Sequence, residues 1–188
     1  LTLGAGTYNL DGDTTSSAAF VNGGTLSIGA ARTLAVSGTY NNNGTVTETG
    51  AIQHASESAD ITDSSGTPVA DVETSNQIVY VTVEDQDGNL DATALDTITG
   101  STLTASTFSD SETMTLTETG VDTGVFISSL SVARSSLGQS GNGRIELSSN
   151  GTFTLAFADN KDAGDTGSDT ATYTGSSFSS GGRSHGGG

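Results

Sequence analysis

Glycine interrupts nearly every window of helical length in this chain, and Ala, Leu, Glu and Lys nowhere combine at a 3.6-residue period. What remains is β-structure. The run IVYVTV, Ile78 to Val83, is β-branched and aromatic, and TMTLT, Thr113 to Thr117, alternates. TFTLAFAD, Thr152 to Asp159, sets Phe153, Leu155 and Phe157 on one face and threonine and alanine on the other, the pattern of a half-buried antiparallel strand. With 32% hydrophobic residues, no tryptophan, one proline and 26 glycines, such a chain builds a thin core.

Two rhythms divide the sequence. Up to residue 56 short apolar steps alternate with Gly and Asn, as in GGTLSIGAARTLAVSGTYNNNGTVTETGAI, Gly23 to Ile52. There a glycine, a threonine and an apolar residue recur at Gly24-Thr25-Leu26, Gly38-Thr39-Tyr40 and Gly44-Thr45-Val46. Very short strands at brief, irregular intervals suit solenoid rungs that stack and bury one or two aliphatic side chains per turn. So few turns cannot close a core alone, so the segment is expected to lean on the next domain or on another subunit. This part resembles the G-T-L and N-N-G-T-V repeats in the parallel β-helix stalks of bacterial adhesins and autotransporter passengers.

From residue 57 to 175 nine candidate strands follow: ADITD, PVADVE, QIVYVTVE, LDTITGSTLTAS, ETMTLTET, GVFISSLSV, GRIELS, GTFTLAFAD and DTATYTG, separated by Asp, Gly, Asn and Ser turns. Seven to nine strands at this spacing fit an all-β, two-sheet immunoglobulin-like sandwich, here without the usual Cys and Trp core markers. IVYVTVEDQDGNLDATALDTI, then SETMTLTETGVDTGVFISSLSV, NGRIEL and TATYT resemble the tandem Ig-like repeats of bacterial and archaeal surface-layer and cell-surface proteins. Members of that group carry a strand ending in D-x-D-x-N, an L-x-E-T-G-x-x-T-G-V-F segment and a closing T-x-T-Y. The resemblance implies a surface-displayed repeat domain. Residues 176–188, Gly/Ser-rich, form a low-complexity tail with too little apolar surface to fold by itself.

Charge narrows the partners. Asp and Glu outnumber Lys and Arg by 22 to 5, a formal charge of −17, which repels phosphate backbones and anionic membranes. Neither nucleic acid binding nor membrane insertion is expected, and no apolar run approaches the length of a bilayer span. Divalent cations, which relieve the self-repulsion, are the first partner to consider. The absence of cysteine removes disulfides and thiolate metal sites. A chain beginning at Leu1 rather than Met is expected to be processed or excised, with its targeting signal already gone.

The stretch VEDQDGNLD, Val83 to Asp91, raises the metal question directly. Asp85, Asp87 and Asn89 stand at alternate positions, where a turning loop wraps a hard cation, and Asp96 follows eleven residues after Asp85, where an EF-hand places its bidentate acid. Leu90 occupies the position that motif reserves for glycine, so a looser Ca2+ site is expected, with Asp85, Asp87, Asn89, a carbonyl near Asp91, and an acid from another loop. The alternative is a plain polar turn. A second acidic run, ADNKDAGDTGSD, offers Asp159, Asn160, Asp162, Asp165 and Asp169, or else a solvated hairpin. If the two loops share a pole, one calcium bridges them. In ETGVDTGVF, Glu118 and Asp122 are read as turn-forming residues.

Catalysis has little support. The two histidines, His54 and His185, fall in the inter-module stretch and the tail, and there is little aromatic surface to line a sugar cleft. Asn43 and Asn150 head glycosylation sequons, which arise easily in a threonine-rich chain. The expectation is a non-catalytic extracellular or cell-surface structural protein, forming a filament, sheath or surface layer from copies of itself. LTLGAGTYNL, Leu1 to Leu10, either adds a strand to a neighbour's sheet through Leu1, Leu3, Tyr8 and Leu10, or forms an internal strand. The competing class is a calcium-dependent adhesin that binds carbohydrate or a cell-surface protein.

Overall fold

The structure, a computed structural model, describes residues 1–48, 51–54, 58–148, 150–159 and 165–175, and every regular element among them is a strand. The first nine are short and build three rungs. β1 (Thr2–Leu3), β2 (Thr7–Leu10) and β3 (Thr14–Ser16) make the first. β4 (Phe20–Asn22), β5 (Thr25–Ile28) and β6 (Thr33–Val36) make the second, and β7 (Tyr40–Asn42), β8 (Thr45–Glu48) and β9 (Ala51–Gln53) the third. Each strand pairs in parallel with its counterpart one rung away, giving three three-stranded sheets in the orders β1-β4-β7, β2-β5-β8 and β3-β6-β9.

The glycine pattern has a physical cause at the corners. An added Cβ on Gly44 would collide with the Gly24 carbonyl, and one on Gly24 with that of Gly6, so a side chain there would force the rungs apart. Gly24-Thr25 and Gly44-Thr45 are therefore stacked copies of one corner. Gly38-Thr39 lies at another corner, over the backbone of Ala18. Inside, Leu26, Ile28, Leu34, Val36, Val46 and Ile52 are buried, and Phe20 stacks on Tyr40 with ring centroids 5.8 Å apart and planes 1° from parallel. Asn22 and Asn42 are fully buried. Asn22 Nδ2 donates to Asn42 Oδ1 at 2.8 Å, and each Oδ1 accepts the backbone N–H of the glycine two residues on, so the pair tightens the corner as it links the rungs.

The remaining nine strands fall on the nine segments expected from sequence. They are β10 (Ser58–Thr62), β11 (Asp71–Val72), β12 (Gln77–Glu84), β13 (Thr97–Ala105), β14 (Ser111–Glu118), β15 (Val125–Arg134), β16 (Arg144–Leu147), β17 (Gly151–Ala158) and β18 (Thr166–Tyr173). They form one hydrogen-bonded sheet in the order β10-β12-β15-β14-β13-β17-β18-β11, with β16 beside β15. The sheet curls until its ends approach: Ile61 N donates to Asp169 Oδ2 at 2.8 Å, and Gly167 lies against Ala59. Within the curl Ile61, Val81, Leu103, Leu116, Phe126 and Leu155 are fully buried. Phe153, Leu155 and Phe157 point inward from β17 while Thr154 and Ala156 face solvent, as their alternation requires.

The two bodies meet at the last rung. Leu90 packs on the solenoid core, and its carbonyl accepts Val46 N. Ala92 N donates to Gly44 O, and Asn42 Nδ2 donates to the Asn89 carbonyl at 2.8 Å, which extends the asparagine ladder into the sheet's loop. The short solenoid thus leans on the next body, as its length demanded. The expected boundary between residues 56 and 57 and the tail 176–188 lie outside the described residues.

At the first rung, Leu3, Tyr8 and Leu10 are only partly buried and Leu1 is 58% exposed. With Phe20, Leu26 and Leu34 they line an apolar pocket of about 170 Å³. Leu1 to Leu10 lies on its own chain: β1 pairs β4, β2 pairs β5, and the terminal ammonium donates to Ala19 O at 2.6 Å.

The ladder gives a stability test. Asn42→Ala leaves Asn22 Nδ2 and the Asn89 carbonyl without this partner and is expected to cost about 1–3 kcal/mol in urea unfolding. Asn41→Ala, at an exposed position one residue away, is expected to stay within about 0.5 kcal/mol.

Candidate metal centre

Along β12 the inward face is Val79, Val81 and Val83. The same alternation continues past the strand's end, so Asp85, Asp87 and Asn89 are buried in turn, at 2%, 5% and 1% exposure. A register that fills a core with valine upstream turns carboxylates inward downstream. Asp85 Oδ1 accepts Gly88 N at 2.9 Å, which bends the loop, and Asp85 N donates to Gly124 O.

The hairpin between β17 and β18 supplies the other half. Asp159 N donates to Asp165 O at 3.0 Å, closing its base, and both side chains turn toward the first loop. Carboxylate oxygens of Asp85, Asp87, Asp159 and Asp165 all lie within 4.8 Å of one another. The two acidic runs of the sequence therefore converge. They border a cleft of about 150 Å³ that Glu48, Ile52, Leu90, Thr97, Ile98 and Thr99 also line.

Four carboxylates at this separation, three of them buried, cannot all ionise without compensation. Burial above all, and then the Asp85 and Asp159 carboxyls, push the Asp87 carboxyl up to about 11. Asp87 Oδ2 accepts His54 N at 3.1 Å, whereas Oδ1 is buried with no hydrogen-bond partner. Asn89 Oδ1 is likewise buried and unpartnered. Either protons or a cation must relieve such a group. The cluster of four aspartates can hold a metal ion, and an all-oxygen donor set suits a hard cation.

The other expected ligands have different work. Asn89 Nδ2 donates to Asp122 Oδ1 at 3.0 Å. Asp91 accepts Thr93 N at 2.9 Å and Thr93 Oγ1 at 2.7 Å, and the Thr93 hydroxyl bond holds its carboxyl below the usual range. Asp96 stands at the EF-hand spacing but outside the cluster. Its Oδ2 accepts Leu90 N and Asp91 N at 2.7 Å each, closing the loop's exit, and burial raises its carboxyl. Asp162 lies outside the described residues. Glu118 is a staple: it accepts Thr123 N, Gly124 N and Asp96 N at 2.9–3.0 Å.

Asp165, one of the acids offered by the second run, immediately precedes β18 and faces Asp159 across the base of the hairpin. Glu48 reaches the cleft from the solenoid's last rung, and nothing in TVTETG distinguishes it. Asp110, Glu112 and Glu146 form a second buried acidic set that no spacing in the sequence marks. Glu112 accepts Asn142 N and Gly143 N, Glu146 accepts Gln139 N, and Asp110 accepts Glu146 N, so these acids bind the 139–143 loop to the sheet. Burial raises the Asp110 carboxyl.

No helix among the described residues is long and apolar enough to cross a membrane. No family model matches the chain, and no curated protein matches it, so the likeness to surface-layer repeats rests on the residues quoted above alone.

Proposed function

We propose that the chain is a non-catalytic extracellular structural protein, a subunit of a surface filament, sheath or surface layer, in which copies join by β-strand addition and calcium occupies the aspartate cleft. The observation that carries this reading is the inequality of the solenoid's two ends. The third rung is covered by Leu90 and its neighbours, whereas the first presents Leu1, Leu3, Tyr8 and Leu10 beside edges of β1, β2 and β3 that are free among the described residues. An uncovered strand edge with apolar side chains is a template for another strand.

Calcium is favoured over magnesium because four carboxylates from two loops suit its larger, flexible coordination shell. A formal charge of −17 favours cation uptake over any polyanionic partner. We read the curled sheet as an immunoglobulin-like sandwich. That reading is supported by β15, which pairs β12 along eight residues but β14 at only Thr117↔Ile127 and Glu118↔Phe126, as a strand passing between layers would. A calcium-dependent adhesin is the second reading. In its favour are Phe108 and Leu137, exposed by 44% and 74% on neighbouring loops.

Electron microscopy with light scattering tests the assembly. Wild-type protein is expected to form regular polymers, and the Leu3→Asp/Leu10→Asp variant to remain dispersed with unchanged circular dichroism of the sheet. Dispersed wild-type monomers at every calcium concentration would rule the filament reading out. For the cation, calcium about a hundredfold above its dissociation constant contributes about 2.7 kcal/mol. For a chain of this size that raises the unfolding midpoint by roughly 5–11 °C. An identical midpoint in calcium and in chelator would exclude the site.

A further inference from the structure

The aspartate cleft lies between the two bodies. Asp85, Asp87 and Asp159 line it from the sheet, and Glu48 and Ile52 from the solenoid's third rung. The loop that brings Asp85 and Asp87 to the cleft continues without a break into Asn89 and Leu90, the residues that cover that rung. Asp87 touches both sides, since its Oδ2 accepts His54 N, just beyond β9. Its other oxygen is the second pointer to a ligand: Asp87 is 95% buried by its 5% exposure, and Oδ1 meets no donor while belonging to a carboxylate of the cluster.

We infer that a divalent cation bound by Asp85, Asp87, Asp159 and Asp165 acts as a clamp between the bodies, fixing the Asn89–Leu90 segment on the third rung so that the order of the solenoid depends on an ion held by the sheet. This inference rests on the cation reading above. With the ion bound, Asp85 and Asp87 are tied to the β17–β18 hairpin, and the loop has one position. With the ion removed, the loop loses its tie to the hairpin, and the contacts of Leu90 O with Val46 N and of Asn89 O with Asn42 Nδ2 loosen with it. The solenoid has no other cover at that end among the described residues. Its three rungs are then the least stable part of the chain.

Hydrogen exchange read by mass spectrometry on the full chain tests the clamp, with calcium chloride against chelator and calorimetry of calcium binding in parallel. In calcium the amides of residues 40–48 are expected to exchange at least about tenfold more slowly than in chelator, while β13 and β17 change much less. Asp165→Asn, on the β17–β18 side of the cleft, is expected to abolish that difference. Leu90→Ala is expected to retain calcium binding in calorimetry and to lose the protection of residues 40–48 in calcium. Binding with unchanged exchange in residues 40–48 would overturn the clamp and leave the cation reading standing. Absence of any calorimetric binding would overturn both.

Discussion

A stack of parallel rungs is only as durable as its ends, because the last rung has an unpaired backbone edge and a half-covered core. In this protein one end is sealed by a loop from the neighbouring sheet. Leu90 fills the apolar space, the Leu90 and Asn89 carbonyls take donors from Val46 and Asn42, and Ala92 returns a donor to Gly44. Three short rungs of Thr, Asn and Gly would otherwise bury too little to offset the entropy of ordering them. The junction therefore supplies part of the cover on which the N-terminal rungs rely.

That seal is made by a segment under electrostatic stress. The inward register of β12 carries Asp85, Asp87 and Asn89 into positions where aliphatic residues would be ordinary, and Asp159 and Asp165 approach from the opposite hairpin. Burying carboxylates this close together costs several kcal/mol each even after relaxation, more than hydrogen bonds such as those from Gly88 N and His54 N return. A bound cation reverses the sign of the balance. The same residues then stabilise the loop that covers the solenoid, and the burial of Tyr40 fits this picture: desolvation first, then the charges of Asp87 and Glu48, raise its hydroxyl.

Much of the architecture was legible because alternation and turn chemistry are local. The nine strands of the sheet coincide with nine segments of β-branched or alternating residues, and the solenoid announced itself through Gly-Thr steps that the Gly24 and Gly44 corner requires. What alternation cannot give is closure: it tells which side chains face inward, not that β10 comes round to meet β18. The convergence of two acidic loops was legible from their positions after strands, but the ligand set was not. Asp96, placed by spacing alone, is consumed by the N–H groups of Leu90 and Asp91. The covering role of Leu90 was hidden too, since in sequence it is merely the wrong residue for an EF-hand glycine; only the third rung, 44 residues upstream at Val46, gives it a meaning.

The most direct measurement uses terbium in place of calcium, because tyrosine sensitises terbium emission only at short range. Tyr40 lies in the solenoid's third rung close enough to Asp87 and Glu48 to feel their charge, whereas Tyr173 ends β18 opposite Gly151, at the far end of the hairpin from Asp159 and Asp165. If an ion sits between the rung and the acidic loops, terbium emission excited through tyrosine falls sharply in Tyr40→Phe and is unchanged in Tyr173→Phe. Emission indifferent to Tyr40, or no emission from the wild-type protein, would contradict the account.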